Sequence, residues 1–293
     1  MTNDQPTKAT TTGGHELISA LKSLRRNPLA MIGTAIFLFF LLMAFIGPWV
    51  APYEFQEQDI AHRLQPPSLT HFFGTDPFGR DIFSRILCGS RGIFLLGGTG
   101  TIFAALIGIS IGLFSGYVGG MIDEALMRIF DILLAYPPLL LALVMLVTAG
   151  PSMMNLVVVV TILYTPMLAR VTRSMVLDLK TKEFIEAAKT RGESMGYILF
   201  REILPNAVAP LLVEVSMRFS YSIFLIASLG FLGLGAQPPS PDWGLQINEA
   251  RSHFSLAPWT LLFPAGAISV LVVAASLMSD GFRQALQRTA GGR

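Results

Sequence analysis

The sequence predicts an all-α, polytopic membrane protein with six transmembrane helices. Three observations carry that prediction. The 293 residues are 52% apolar and only 14% charged, with a mean hydropathy of +0.59, whereas soluble domains carry about a quarter charged residues. Residues 29–50 form an uninterrupted apolar run, and at roughly 1.5 Å per residue it crosses about 30 Å of hydrocarbon. The Lys and Arg residues are also distributed unevenly between the two sets of connections.

Taken in order, residues 1–14 are polar and Thr-rich, a composition that favours disorder. Residues 15–26 read as a short amphipathic helix, with Leu17, Ile18, Leu21 and Leu24 on one face and Lys22, Arg25 and Arg26 at the other. That pattern suits a helix lying in the headgroup layer; a solvated helical tail is the plainer alternative. The run at 29–50 is too long for a signal-peptide core, so it reads as an uncleaved anchor. Further spans are expected at about 93–117, 125–149, 153–169, 208–232 and 258–279. Six crossings place both termini on one side. The resulting organisation is a tail at 1–28, a first helix at 29–50, an outer loop at 51–92, a five-helix core at 93–279 and a second tail at 280–293.

Orientation follows from the cations. With a cytoplasmic N-terminus, fifteen of the 21 Lys and Arg fall inside, among them Lys22, Arg128, Arg173, Lys189, Arg201 and Arg283. Five fall outside (Arg63, Arg80, Arg85, Arg91, Arg251), and Arg218 lies within a span. Three to one is a positive-inside bias. Both tails and the segment 171–207 are therefore expected in the cytoplasm.

The outer loop contains FGTDPFGRDIFSRILCGSR, in which Asp76-Pro77 starts a turn. Asp81 and Arg85 make an i,i+4 pair on a short helix, and Ile82, Phe83, Ile86 and Leu87 would rest it on the membrane surface. Such pairs usually shape a loop; a substrate contact is the sharper alternative. The second span carries Gly108, Gly112 and Gly116, spaced for close backbone approach in lipid, either within this subunit or against another. Asp123, Arg128 and Asp131 gather at the mouth of the third span and would clamp its turn, with Glu124 and Arg128 at i,i+4. Pro137-Pro138 must break or kink that span. Glu214 and Arg218 are one turn apart in the fifth span and can pair. They form either a structural pair or a lining of a water-filled path. After that span, SLGFLGLGAQPPSPDWGLQINEAR reads as a stiff outer loop with Trp243 at the interface.

Chemistry of the enzymatic kind is not expected. Cys88 is the lone cysteine, the four histidines show no HExxH spacing, and no GxxxxGK[ST] phosphate loop occurs. The chain is expected to bind no ATP, metal or nucleic acid itself, and no residue is a catalytic candidate. The anomaly is the charged stretch EFIEAAKTRGESMGYILFREILPN at 183–206, set between two apolar runs. Lys182 to Lys189 favours helix, Gly192 permits a sharp turn, Ser194 to Ile203 is helical again, and Pro205 would stop it. Ala187 and Ala188 would let another protein close on this hairpin at short range, and Glu186 offers a charge across that contact. A solvated loop is the bland alternative.

The pattern EAA-x3-G at Glu186, Ala187, Ala188 and Gly192 resembles the signature loop of permease subunits in binding-protein-dependent ABC importers. In the general signature an Ile-x-Leu-Pro follows; here that Ile position is Glu202, and the chain reads Ile203, Leu204, Pro205, Asn206. That departure is similar to the peptide branch, as are FGTDPFGRDIFSR, GYVGGMIDEALMRIFDILLAYP, FLGLGAQPPSPDWGLQINEAR and RRNPLAMIG. The resemblance covers nearly the whole chain after residue 20. It implies the fold of a type I ABC importer transmembrane domain and the role of the C-type permease of a dipeptide, oligopeptide or nickel-type system in the bacterial inner membrane. It also implies its partners. They are a second, similar permease, two cytoplasmic ATPase subunits that bind ATP and Mg and grip the hairpin, and an external solute-binding protein. Glutathione, nickel or another small solute is an alternative cargo, and a non-transporting scaffold or sensor is an alternative of a different class.

Overall fold

The computed structural model of the chain describes residues 27–291. The polar stretch 1–14 and the amphipathic helix expected at 15–26 lie outside the described residues. Among those described, the chain is helical with no strands, and its one β-like contact is an isolated bridge between Thr75 and Asp81. Helix α1, Pro28–Val50, starts where composition places it: the Asn27 side chain accepts from the amides of Leu29 and Ala30, and Pro28 needs no amide partner at its first position.

Helix α2, Ile82–Val118, is 37 residues long. The surface helix and the span expected from residue 93 are one element, because nothing between them breaks it. Its glycines lie helical against neighbours, and the break comes only at Gly119 and Gly120, which have φ of +69° and +65°. The expected third span is two helices, α3 Gly120–Leu134 and α4 Pro138–Ala149, bent by 87° at the tandem prolines. Helix α5, Met153–Leu179, runs a further ten residues past its expected end. After the short α6, Glu183–Thr190, comes α7, Met195–Phe231, then α8, Trp243–Ala250, and α9, Trp259–Gly291. The last crossing thus continues well beyond residue 279.

Direction of packing resolves the crossing number. A Cβ on Gly100, Gly108, Gly112 or Gly116 would strike Val160, Leu168, Thr172 or Val176 respectively. Contacts that advance together along both chains mean that α2 and α5 run parallel. The bent pair α3–α4 therefore carries the chain back between them, and five long helices plus this pair make six crossings. The glycine ladder is consumed inside the subunit, which decides the alternative left open by its spacing. Gly33 lies against Leu277 and Asn27 bonds Gln284, so α1 packs antiparallel on α9.

Three apolar clusters hold the helices. One, around Leu146, Leu156, Val160 and Leu229, lies between α2, α4, α5 and α7. A second, around Ile82, Ile93, Ile223, Trp243 and Leu271, joins α2, α7, α8 and α9. The third, Leu113, Val176, Ile185, Ala188, Ile198, Leu199 and Ile203, lies at the opposite end beneath the hairpin. Outward faces show large exposed side chains such as Phe45, Leu106, Val144 and Val273, as lipid-facing helices do, because lipid tails solvate them at no cost.

Candidate functional site

The hairpin is built from two helical arms and a turn. Helix α6 begins after Lys182 and ends at Arg191, and Gly192, at φ +77°, reverses the chain. Ser194 then starts the second arm by accepting from the amide of Tyr197. Pro205 does not stop this arm, contrary to expectation. Proline removes only an amide donor, and the arm absorbs the loss by widening. Ile198–Ile203 is a π-helix in which Leu204 donates to the Leu199 carbonyl, and Asn206 Nδ2 donates to the Glu202 carbonyl at 2.6 Å. The arm therefore runs without interruption into α7.

The signature residues divide between two faces. Ile185 and Ala188 are fully buried and Ile203 with them, in the cluster shared with Leu113 of α2 and Val176 of α5. Leu204 is half-buried, while Glu186, Ala187, Gly192 and Pro205 are exposed together with Glu183 and Phe184. Ala188 is thus a packing residue and not, as expected, part of a contact surface. Its methyl is what lets α6 sit down on the bundle. Glu202, at the departure from the general signature, reaches Arg191 across the turn at 3.5 Å, and Arg191 also meets Glu193 at 3.5 Å. Lys180 Nζ donates to the Gly116 carbonyl at 2.9 Å and ties the hairpin's entry to the end of α2.

Next to the hairpin, Arg173 of α5 grips Asp123 of α3 with two bonds of 2.6 Å, and Arg170 pairs with Asp131. Asp123 and Asp131 therefore join α3 to α5 and do not clamp their own turn. The expected Glu124–Arg128 pair is present, exposed, at 3.7 Å, and surface pairs of this kind contribute little.

Midway along α7, Glu214 and Arg218 do pair, both side chains mostly buried. The guanidinium Nε is buried without a partner, and the Arg218 Cζ lies 5.6 Å from the Tyr221 ring centroid. Arg218 borders a cleft of about 330 Å³ with Tyr164, Tyr221, Ser228 and Met167, and with Pro138 from the α3–α4 break.

At the far end lies a cluster that sequence reasoning missed. Asp81 caps α2 through the Ser84 amide and meets His71 at 3.0 Å, so it does not pair with Arg85. Arg85 instead meets Asp76, and also Glu249 of α8 at 3.1 Å; Arg80 meets Asp76 at 2.6 Å and Glu249 at 2.5 Å. Trp243 is fully buried and donates to the Ile86 carbonyl at 2.9 Å. Trp243 therefore sits inside the protein and not at the lipid interface. Two carboxylates and two guanidiniums, all largely buried, bolt the first outer loop to α8. The only sequence signal was an unusual density of charge in TDPFGR and NEAR, and nothing local says that segments some 165 positions apart meet.

Residues 108–290 match the family described as binding-protein-dependent transport system inner membrane component, and residues 17–67 match the N-terminal TM domain of oligopeptide transport permease C. The chain is 42% identical over 267 residues to the dipeptide transport system permease protein DppC of Alkalihalophilus pseudofirmus, covering 91% of this chain and 88% of that protein. It is 37% identical over 289 residues to the probable D,D-dipeptide transport system permease protein DdpC of Escherichia coli strain K12, covering 99% and 96%. It is 42% identical over 262 residues to the glutathione transport system permease protein GsiD of Pectobacterium atrosepticum, covering 89% and 87%.

Proposed function

The chain belongs to the binding-protein-dependent transport system inner membrane components, and from that premise we propose that it is the C-type permease that carries short peptides through the inner membrane. Members of this family are permease subunits of ABC importers and not enzymes, and ATP is hydrolysed in separate subunits. The chain pairs with a second, similar permease to enclose the path. Two ATPase subunits, holding ATP and Mg, lie on the cytoplasmic side with both tails and the hairpin, and a solute-binding protein delivers cargo to the outer face. The cargoes for which those relatives are named, dipeptides and glutathione, share a peptide backbone, which favours peptide over nickel or another solute.

One observation carries the coupling role. The hairpin is apolar below and charged above, and its buried face is continuous with α2, α5 and α7. A force on Glu183, Glu186 and Ala187 therefore reaches three crossings through close-packed side chains, which transmit displacement instead of absorbing it. Closure of the ATPase pair would shift the balance between inward- and outward-open arrangements. The test is Glu186→Lys in the assembled importer. Glu186 is exposed and makes no side-chain ion pair among the described residues, so the subunit should insert and fold normally. The expected result is release of the ATPase subunits on co-purification and loss of most ATP-driven uptake. Intact docking with intact uptake would sink the coupling role.

A further inference from the structure

Resting on the reading as a peptide importer, we propose that Arg218, Tyr164 and Tyr221 form a transit site for the terminal carboxylate of the passing peptide. Arg218 lies near the middle of the Leu204–Phe231 stretch of α7, at mid-depth in the bundle. A guanidinium offers five donors. Here one amino group serves Glu214, and Nε is buried with no partner. A pair kept only for structure would engage more of those donors, since an unsatisfied polar group at membrane depth is costly. Tyr164 and Tyr221 border the same cleft, and neither hydroxyl has a hydrogen-bond partner among the described residues. A guanidinium with donors to spare and two unbonded hydroxyl side chains thus border one concave space, which is what an anion requires. The planar fork of an arginine matches the two oxygens of a carboxylate.

The rest of the cleft is apolar and adaptable. Met167, Leu225 and Leu139 line it beside the polar groups, and a methionine reshapes itself readily around unlike side chains. At about 330 Å³ the space is at the small end for ligand clefts, enough for the end of a peptide and not for a long one. A site that reads the carboxylate common to all peptides, and leaves side chains to a plastic wall, accepts many sequences. Glu214 competes for the same guanidinium, so the carboxylate is held weakly and released, as conduction demands.

The decisive probe is alanyl-(p-benzoylphenylalanine), photo-crosslinked to the full importer complex in nanodiscs without the binding protein, beside its C-terminal amide. The acid should label this chain at least about tenfold more than the amide. Arg218→Met should bring acid labelling down to the amide's level, and Tyr164→Phe should lower it several-fold. Equal labelling by acid and amide, or no labelling at all, overturns the site. So does an equal drop for both probes in the variants, which would mark a structural role. Should Arg218→Met fail to assemble, Tyr164→Phe and Tyr221→Phe decide, because each removes only an unbonded hydroxyl. ATP-driven uptake of dialanine by the wild-type complex with its binding protein separates the two readings. Uptake without acid preference sinks the transit site alone, whereas absence of uptake sinks peptide import itself.

Discussion

Asp242 shows how burial sets a residue's behaviour at the start of α8. It caps α8 by accepting from the Leu245 amide at 2.9 Å and is 2% exposed. Loss of water pushes its carboxyl up to about 6 from an ordinary 3.8, only partly countered by backbone donors and by Arg85. The native state therefore holds this proton more tightly than the unfolded chain. The stabilisation from this group is full below about 3.8 and is lost as pH rises through about 6, a span of at most about 3 kcal/mol. Asp242→Asn keeps the cap acceptor and removes the charge. The purified complex should melt at a lower temperature at pH 7.5 than at pH 5, and the Asn variant should flatten that difference; an unchanged slope would dismiss burial as its cause. The neighbouring cluster of Asp76, Arg80, Arg85 and Glu249 was illegible in the sequence for a related reason. The i,i+4 rule pointed Arg85 at Asp81, but the open amides at the start of α2 claim Asp81 as a cap, and Arg85 turns to partners from two other segments. Glu214–Arg218 and Glu124–Arg128, lying within single helices, were legible.

At the scale of elements, apolar runs located every crossing, yet helix ends slipped where packing overrode local signals. Glycines of α2 that suggest a break are the points where other backbones approach: a Cβ on Gly89 would strike the Pro241 carbonyl and on Gly112 the Ala169 carbonyl. Pro205 looked like a stop and is a π-segment. Only Pro137-Pro138, two prolines in succession, broke a helix as expected. The hairpin's existence, turn and polarity were plain from composition, but the facing of its signature was not, since eight residues give few turns over which to establish a period. The two adjacent alanines test that facing. Ala188→Glu places a carboxylate in the cluster of Ile185, Ile198 and Ile203, a burial that costs several kcal/mol unless paired, so yield and thermal stability should collapse. Ala187→Glu points away from the bundle and should leave melting of the permease nearly unchanged while weakening ATPase co-purification. Equal melting of the two variants would contradict the facing of α6.

For the whole molecule, the parallel packing of α2 and α5 fixes the relative sides of every connection. Two parallel crossings joined through a broken pair leave the hairpin and the outer cluster at opposite ends of the bundle. Which end meets the cytoplasm is then a single binary question, and the cation bias predicts one answer for all connections at once. The bias has a physical basis, because Lys and Arg near the ends of spans resist translocation. Cys88, the lone cysteine, is buried, so the native chain offers a quiet background for labelling. Leu69 in the outer loop is 94% exposed, and Thr190 at the tip of the hairpin is also exposed. Leu69→Cys should react with a membrane-impermeant maleimide in intact spheroplasts, whereas Thr190→Cys should react only after permeabilisation. Cytoplasmic ATPase subunits could not reach a hairpin that is labelled from outside, so the reverse pattern would remove both the orientation and the coupling role. Labelling of both sites from outside would contradict the six crossings themselves, because six crossings with α2 parallel to α5 put residues 69 and 190 on opposite sides.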